Sequence, residues 1–177
     1  MLEIFSGCGR LSGALIECGL RTSVPIDFLN GSHFDMSKPK IVDVIDTWIC
    51  SGLIWMIHFG TPCTRWRRAR TSGTIGGHID RVGMAMAHCT VILLKRCRER
   101  GVRVMIENPA TSGLWDYQPI SKELVRLGCA EVPVDMCAYG APYKKPTMFK
   151  TNIPELQTVA RSCRCVVPHE HLQGLCL

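Results

Sequence analysis

The sequence lacks the features that mark several special classes of protein. No window approaches the roughly 18 consecutive apolar residues of a membrane span, and internal repeats and low-complexity linkers are missing. No basic leader precedes the apolar run at residues 2–5, so we expect no cleaved signal peptide and no membrane partner. The 177 residues, 46% hydrophobic and 20% charged, are typical of one compact globular domain.

Cysteine is abundant but is not arranged as in a secreted disulfide scaffold. The chain has 11 cysteines, an odd number, and they are scattered. Several lie in apolar or helical stretches, among them Cys18, Cys50, Cys89 and Cys97. Disulfide scaffolds are shorter and richer in loops. We therefore expect mostly reduced, buried thiols and an intracellular location, cytoplasmic or nuclear.

The formal net charge is +6, and two basic groups stand out along the chain. The first comprises Arg65, Arg67, Arg68 and Arg70, and the second comprises Lys144 and Lys145. Basic groups of this kind favour a phosphate-bearing partner. The alternative is a solvated face that keeps the protein soluble, and charge alone does not separate the two interpretations.

Strand-like and helix-like segments alternate along the sequence. Strands are predicted at residues 2–5, 22–26, 53–59, 102–106, about 130–136 and 147–151, and helices at 11–19, 41–50, 79–100 and 121–127. This order predicts an α/β fold with a mostly parallel sheet flanked by helices. Ligands of such sheets bind outside the carboxyl ends of the strands. Because the unusual residues of the sequence fall at those ends, we expect a single site.

The first of these strand ends has the character of a cofactor loop. Ser6-Gly7-Cys8-Gly9 joins the first strand to the first helix, and its glycines let a ligand approach the backbone near the helix N-terminus. Asp27 follows the second predicted strand and is suited to accept hydrogen bonds from ribose hydroxyls. Asp35 is suited to an adenine amino group. The alternative is that both aspartates are ordinary turn formers.

Two further strand ends carry a thiol and a carboxyl group. Gly60-Thr61-Pro62-Cys63 follows a buried strand and precedes the arginine group, whose charge would stabilise a nucleophilic thiolate at Cys63. Glu107 ends another apolar strand, where a dry cleft would favour its protonated, donating form. The alternatives are an inert buried cysteine and a carboxylate in a structural hydrogen bond. Together the two groups are a plausible nucleophile and acid pair.

These motifs, in this order, resemble those of the DNA cytosine-5 methyltransferases. Phe5-Ser6-Gly7-Cys8-Gly9 is similar to the family's first cofactor motif, and Gly60-Thr61-Pro62-Cys63 to its Pro-Cys nucleophile motif. Glu107-Asn108-Pro109 resembles the Glu-Asn-Val motif. Tyr139-Gly140, Lys144 to Thr147 and Thr151-Asn152 are similar to a segment of compact phage-like and mobile-element members. The resemblance spans residues 2–152.

The resemblance implies a Rossmann-like methyltransferase domain at residues 1–152, followed by a Cys/His-containing tail at 153–177. It implies S-adenosyl-L-methionine as cofactor and cytosine-containing DNA as partner. Cys63 would attack C6 of a flipped cytosine while Glu107 engages N3. The implied cofactor-binding residues are Phe5, Ser6, Gly7, Cys8, Gly9, Asp27, Asp35, Gly60 and Pro62. The implied DNA-binding residues are Arg65, Arg67, Arg68, Arg70, Lys144 and Lys145.

The sequence also departs from this family. A Gln-x-Arg-x-Arg motif is not evident, and Cys137-Ala138-Tyr139-Gly140 stands roughly where it would lie. The final Gly-Asn-Ser motif and a long target-recognition segment are missing. Two alternatives therefore stay open. One is a catalytically silent nucleic-acid-binding module of a larger polyprotein or mobile element, and the other is an RNA cytosine methyltransferase. The sequence also leaves open a partner chain or polyprotein context that completes the site.

The tail holds a small group of metal-ligand residue types. Cys163, Cys165, His169 and His171 lie within nine residues, and zinc binds such side chains. Four ligands so close in sequence would strain a tetrahedral site. We therefore assign no metal to the tail and interpret it as a polar segment with incidental thiols.

Overall fold

The computed structural model describes residues 1–63, 66 and 78–170, with the backbone alone for 78–80. Its strands are β1 (Leu2–Ile4), β2 (Met56–Phe59), β3 (Arg103–Pro109), β4 (Ala130–Asp135) and β5 (Pro146–Thr151). Its α-helices are α1 (Arg10–Glu17), α2 (Pro39–Cys50), α3 (His78–Arg100) and α4 (Gln118–Arg126). Short 3-10 helices span Phe28–Asn30, Ser32–Phe34, Gly113–Asp116, Met136–Tyr139 and Pro154–Val159.

The five strands form one sheet in the order β1-β2-β3-β5-β4. β1, β2 and β3 are parallel, with Ile4 beside Phe59 and Phe59 beside Ile106. β5 runs antiparallel to both β3 and β4, so four of the five strands share one direction. The prediction of an α/β fold with a mostly parallel, helix-flanked sheet is confirmed.

Both faces of the sheet are covered, which is why β1 and β2 are buried along their whole length. On one face, α2 packs through Val42, Ile45 and Ile49, whose spacing puts them on one side of a helix. On the opposite face, Met56 and Met105 belong to a smaller hydrophobic cluster. None of the described helices is long and apolar enough to cross a membrane.

Two predicted strands differ from the structure. Residues 22–26 form no named strand and make only a single parallel bridge, between Ile26 and Ile4. Pro25 lacks the N–H that a continuous ladder needs, although the Ile26 amide donates to Glu3 of β1 and the Ser23 amide to Met1, just before β1. β3, predicted to end before Glu107, continues to Pro109 because β5 pairs with its last three residues.

A polar group is buried between β1, β2 and α1. The Glu3 carboxylate Oε2 accepts hydrogen bonds from the Ser12 amide at 2.9 Å and the Ser12 hydroxyl at 2.5 Å. His58 Nδ1 lies 4.0 Å from Glu3 Oε1. Burial lowers the pKa of His58 to about 4, so the imidazole is neutral at pH 7 and the contact is not an ion pair there. The group ties the first turns of α1 to the sheet.

The buried imidazole makes stability depend on pH. In the unfolded chain His58 has its ordinary pKa of 6.5, so between pH 6.5 and 4 the unfolded state binds more protons than the folded state. The free energy of unfolding should therefore fall as the pH is lowered through this window, by up to roughly 3 kcal/mol. Urea unfolding at a series of pH values would measure the loss.

The matched variants are His58→Gln, which removes the buried titration, and His88→Gln, which removes an exposed histidine on α3. Each variant is compared with its own stability at pH 7. The slope of stability against pH should flatten only in His58→Gln, and equal slopes in the wild type and both variants would contradict the assignment.

Candidate active site

The loop after β1 lies open at the start of α1. Phe5 and Gly7 both adopt positive φ angles, 57° and 55°. A side chain at Gly7 would meet nothing within 4 Å, so there is free space beside the backbone at this point. Gly9 stands at the N-cap of α1 and provides no side-chain cap. An open loop at a helix N-terminus is a favourable place for polar or anionic ligand groups.

Asp27 is both a turn former and a contact of this loop. Its Oδ2 accepts a hydrogen bond from the Gly7 amide at 2.8 Å, and its Oδ1 accepts one from the Leu29 amide at 2.9 Å. A carboxylate has about four acceptor positions, so two such bonds leave capacity for a ligand. The structure therefore brings Asp27 to the 6–9 loop.

Asp35 does not join the loop through its hydrogen bonds. Its Oδ1 accepts bonds from the amide and the hydroxyl of Ser37, and Lys38 Nζ lies 3.7 Å from Oδ2. The hydroxyl of Ser37 lowers the pKa of Asp35, which keeps the carboxyl group ionised. The contacts of Asp35 are those of a turn that leads into α2.

The turn after β2 is pressed against the end of β1. The Gly60 amide donates to the Ile4 carbonyl at 2.9 Å. A Cβ atom at position 60 would stand 2.7 Å from the Phe5 carbonyl oxygen, closer than real Cβ contacts allow. Only glycine therefore fits at this position without a backbone shift. Cys63, three residues further on, is partly buried, and its carbonyl accepts from the Trp66 amide at 2.9 Å.

Asn108 connects the Cys63 turn to the strand of Glu107. Its side chain is 1% exposed, and its Nδ2 donates to the Thr61 carbonyl at 2.6 Å. Its Oδ1 is buried without a hydrogen-bond partner among the described residues. The bond holds the turn that carries the thiol against the strand end that carries the carboxyl group. Sequence reasoning noted Asn108 only as the middle of a motif and missed this role.

A lysine, Lys145, completes the local charge balance at Glu107. Its Nζ lies 3.4 Å from Glu107 Oε1, and the Glu107 side chain is 23% exposed. Lys145 was predicted to bind DNA, whereas the structure places it beside the candidate catalytic carboxyl group. Its neighbour Lys144 is exposed. The predicted arginine group, Arg65, Arg67, Arg68 and Arg70, lies outside the described residues, and so does His171.

Three of the four tail residues considered for metal binding come together away from this site. Cys163, Cys165 and His169 lie near Cys137, and the four potential ligand atoms are all within 4.8 Å of one another. Cys137, which comes from the 3-10 helix after β4, was not among the predicted metal candidates.

Comparisons with known proteins find similarity among solved structures. No family model and no curated protein matches the chain. Among solved structures, a crystal structure of mutant DNMT2 from Spodoptera frugiperda matches with a TM-score of 0.52 and 18% sequence identity. The match covers 86% of this chain but 50% of the other, so the chain spans half the length of that protein. The fold is a Rossmann-like methyltransferase fold.

The close approach of Gly60 to Phe5 can be tested with two alanine substitutions. Gly60→Ala should destabilise the protein by about 1–3 kcal/mol, because the new methyl group overlaps a backbone oxygen that cannot rotate away. Gly13→Ala, within α1, has open space at its Cβ and should be neutral or stabilising by up to about 1 kcal/mol. Chemical denaturation would give both values. Equal effects of the two substitutions would mean that the turn after β2 does not contact the loop after β1.

Proposed function

We propose that the chain is an S-adenosyl-L-methionine-dependent methyltransferase that acts on C5 of cytosine in DNA through a covalent bond between Cys63 and C6. The observation that carries the proposal is the Asn108 hydrogen bond to the Thr61 carbonyl. This bond ties the turn of a potential nucleophile to the strand end of a potential acid. A nucleophile and an acid on neighbouring elements are what this chemistry requires.

The loop after β1 fits a nucleoside-containing cofactor. The space beside Gly7 admits a ligand close to the backbone, and Asp27 retains acceptor capacity for ribose hydroxyls. In the proposal Phe5 packs on the adenine ring and Asp35 accepts from its amino group. Residues 6–9 line the methionine portion, and Gly60 and Pro62 complete the pocket wall. The bound cofactor would supply an electrophilic methyl group.

The protein's own residues would prepare the base. The target cytosine must leave the base stack, because its reacting carbons are inaccessible within a duplex. The Cys63 thiolate adds to C6 while Glu107 donates a proton to N3, and the displaced electron pair makes C5 nucleophilic. Once C5 has taken the methyl group, loss of the C5 proton to a water molecule would break the bond between sulfur and C6. N3 would return its proton to Glu107, which regenerates both the acid and the thiolate and releases 5-methylcytosine.

Lys145 gains a role in this proposal that the sequence did not indicate. In the proposal Lys145 Nζ, 3.4 Å from Glu107 Oε1, holds the Glu107 side chain at the base pocket until N3 of the base takes its place. Lys144 is exposed and remains proposed as a phosphate contact, as do the four arginines that follow Cys63. Such phosphate contacts would make binding fall steeply with salt.

Cofactor binding can be tested apart from catalysis. Asp27→Asn keeps an acceptor for the Gly7 amide but removes the negative charge, so its affinity for S-adenosylmethionine should fall about tenfold, as expected for the loss of a charge-assisted hydrogen bond. Asp43→Asn, an exposed position on α2, should bind as the wild type does. Isothermal titration calorimetry measures both. If the wild-type chain binds no cofactor, the silent-module alternative is favoured.

The covalent step can be tested with DNA and RNA duplexes containing 5-fluorocytosine, a base that blocks the final elimination. With cofactor present, the wild-type chain should form an adduct with DNA that survives denaturing electrophoresis. Cys63→Ala should form none, because the attacking sulfur is missing. Cys18→Ala changes an exposed thiol at the C-terminal end of α1 and should still form the adduct.

The outcomes of this experiment separate the alternatives. An adduct with RNA alone would redirect the proposal to RNA methylation. Cofactor binding without any adduct would contradict catalysis by the isolated chain on these substrates. An adduct that persists in Cys63→Ala would assign the nucleophile elsewhere.

A further inference from the structure

Three thiols and one imidazole lie close together beyond the carboxyl end of the edge strand β4. We call it the Cys/His cluster; its members are Cys137, Cys163, Cys165 and His169. Their ligand atoms lie within 4.8 Å of one another, and Cys163 Sγ is 3.4 Å from His169 Nε2. In a tetrahedral zinc site, bonds of about 2.3 Å to sulfur and 2.0 Å to nitrogen place the ligand atoms about 3.5–3.8 Å apart. The cluster is within about an ångström of that arrangement.

Because Cys137 lies outside the tail, the strain expected for four ligands within nine residues does not arise. Four ligands taken from the tail alone would crowd within nine residues and strain a tetrahedron. In the structure the tail contributes three ligands, and the fourth comes from the 3-10 helix Met136–Tyr139 that follows β4. The spacing is then that of two separate chain segments brought together around one point, as in common structural zinc sites.

The backbone around the cluster is held in place by several contacts. The Cys163 amide donates to Asp135 Oδ2 at 2.7 Å, and the Asp135 amide donates to the Arg161 carbonyl at 2.8 Å. Arg161 also forms a parallel bridge with Val134 of β4. The Cys165 amide points at Cys163 Sγ at 3.5 Å, a contact that a thiolate ligand accepts. The tail therefore reaches the cluster along the edge of the sheet.

We propose that Cys137, Cys163, Cys165 and His169 bind one zinc ion in a closed, structural site. Three cysteines and one histidine are an established donor set for structural zinc, and four protein ligands leave no open position for catalysis. Binding of Zn²⁺ by three thiols and a neutral imidazole releases three protons to solvent, with no oxidation or reduction. This proposal does not depend on the proposed methyltransferase activity.

The position of the site indicates what the metal would stabilise. Cys137 begins the connection between β4 and β5, and the Glu170 amide donates to the Pro142 carbonyl within that connection at 3.0 Å. The same connection ends at Lys145, beside Glu107. A zinc ion at the cluster would therefore fasten the tail to the connection that carries Lys145.

The first experiment uses the full chain produced with zinc and kept reduced. Metal analysis should find about one zinc per chain, and removal of zinc by a chelator should lower the melting temperature, because binding free energy contributes directly to folding. Replacement by Co²⁺ should give the thiolate-to-cobalt charge-transfer band and the intense visible bands of tetrahedral cobalt. A wild-type chain that folds but holds no zinc or cobalt would overturn the proposal.

The second experiment uses matched variants to identify the ligands. Cys137→Ser and His169→Gln should each weaken zinc binding by at least about tenfold, because each removes one of four ligands. Cys18→Ser and His171→Gln should bind zinc as the wild type does. Circular dichroism of each variant distinguishes a lost ligand from a lost fold. If His171→Gln loses zinc and folded Cys137→Ser retains it, the site belongs to the tail alone and the proposed ligand set is wrong.

Discussion

The register of the three parallel strands is the constraint on which the candidate site depends. Ile4, Phe59 and Ile106 lie side by side across β1, β2 and β3, so Phe5, Gly60 and Glu107 come next at the same end of the sheet. The turn after β2 can pack on the end of β1 only because Gly60 has no side chain to meet the Phe5 carbonyl. A shift of one residue in any strand would turn its buried residues to the wrong face and separate these ends.

The sequence was sufficient to predict what local patterns determine. Continuous apolar runs and helical spacing predicted the five strands of the sheet and the four α-helices, and also a strand at 22–26 that the structure reduces to a single bridge. The sequence did not indicate contacts between residues that are far apart in the chain. The Asn108 bond to Thr61 and the burial of His58 against Glu3 exist only once the register is set. The same reason explains why β3 runs past its predicted end, since its last residues are paired by a distant strand.

For Asp27, Lys145 and Cys137 the structure adds contacts that the sequence did not indicate. Asp27 was considered either a cofactor-binding residue or a turn former, and its two oxygens accept from the 6–9 loop and from its own turn. Lys145 was grouped with phosphate contacts because of its basic charge and the family resemblance, and the structure places it beside Glu107. Cys137 carried no metal signal because its partners in the cluster are remote in sequence. In each case the missing information was a neighbour supplied by the fold.

The antiparallel strand β5 and the connection before it lie between the candidate active site and the proposed zinc site. Pro146 pairs with Asp135 at the carboxyl end of β4, and Thr147 pairs with Pro109 at the end of β3. The connection between β4 and β5 therefore lies at the carboxyl ends of β3 and β4, the same end of the sheet as Cys63 and Glu107. Its first turn carries a ligand of the proposed zinc site and its last residue contacts Glu107, so ordering one end restricts the other. A metal bound in the proposed zinc site would then act on the candidate active site at a distance, by limiting the positions open to Lys145.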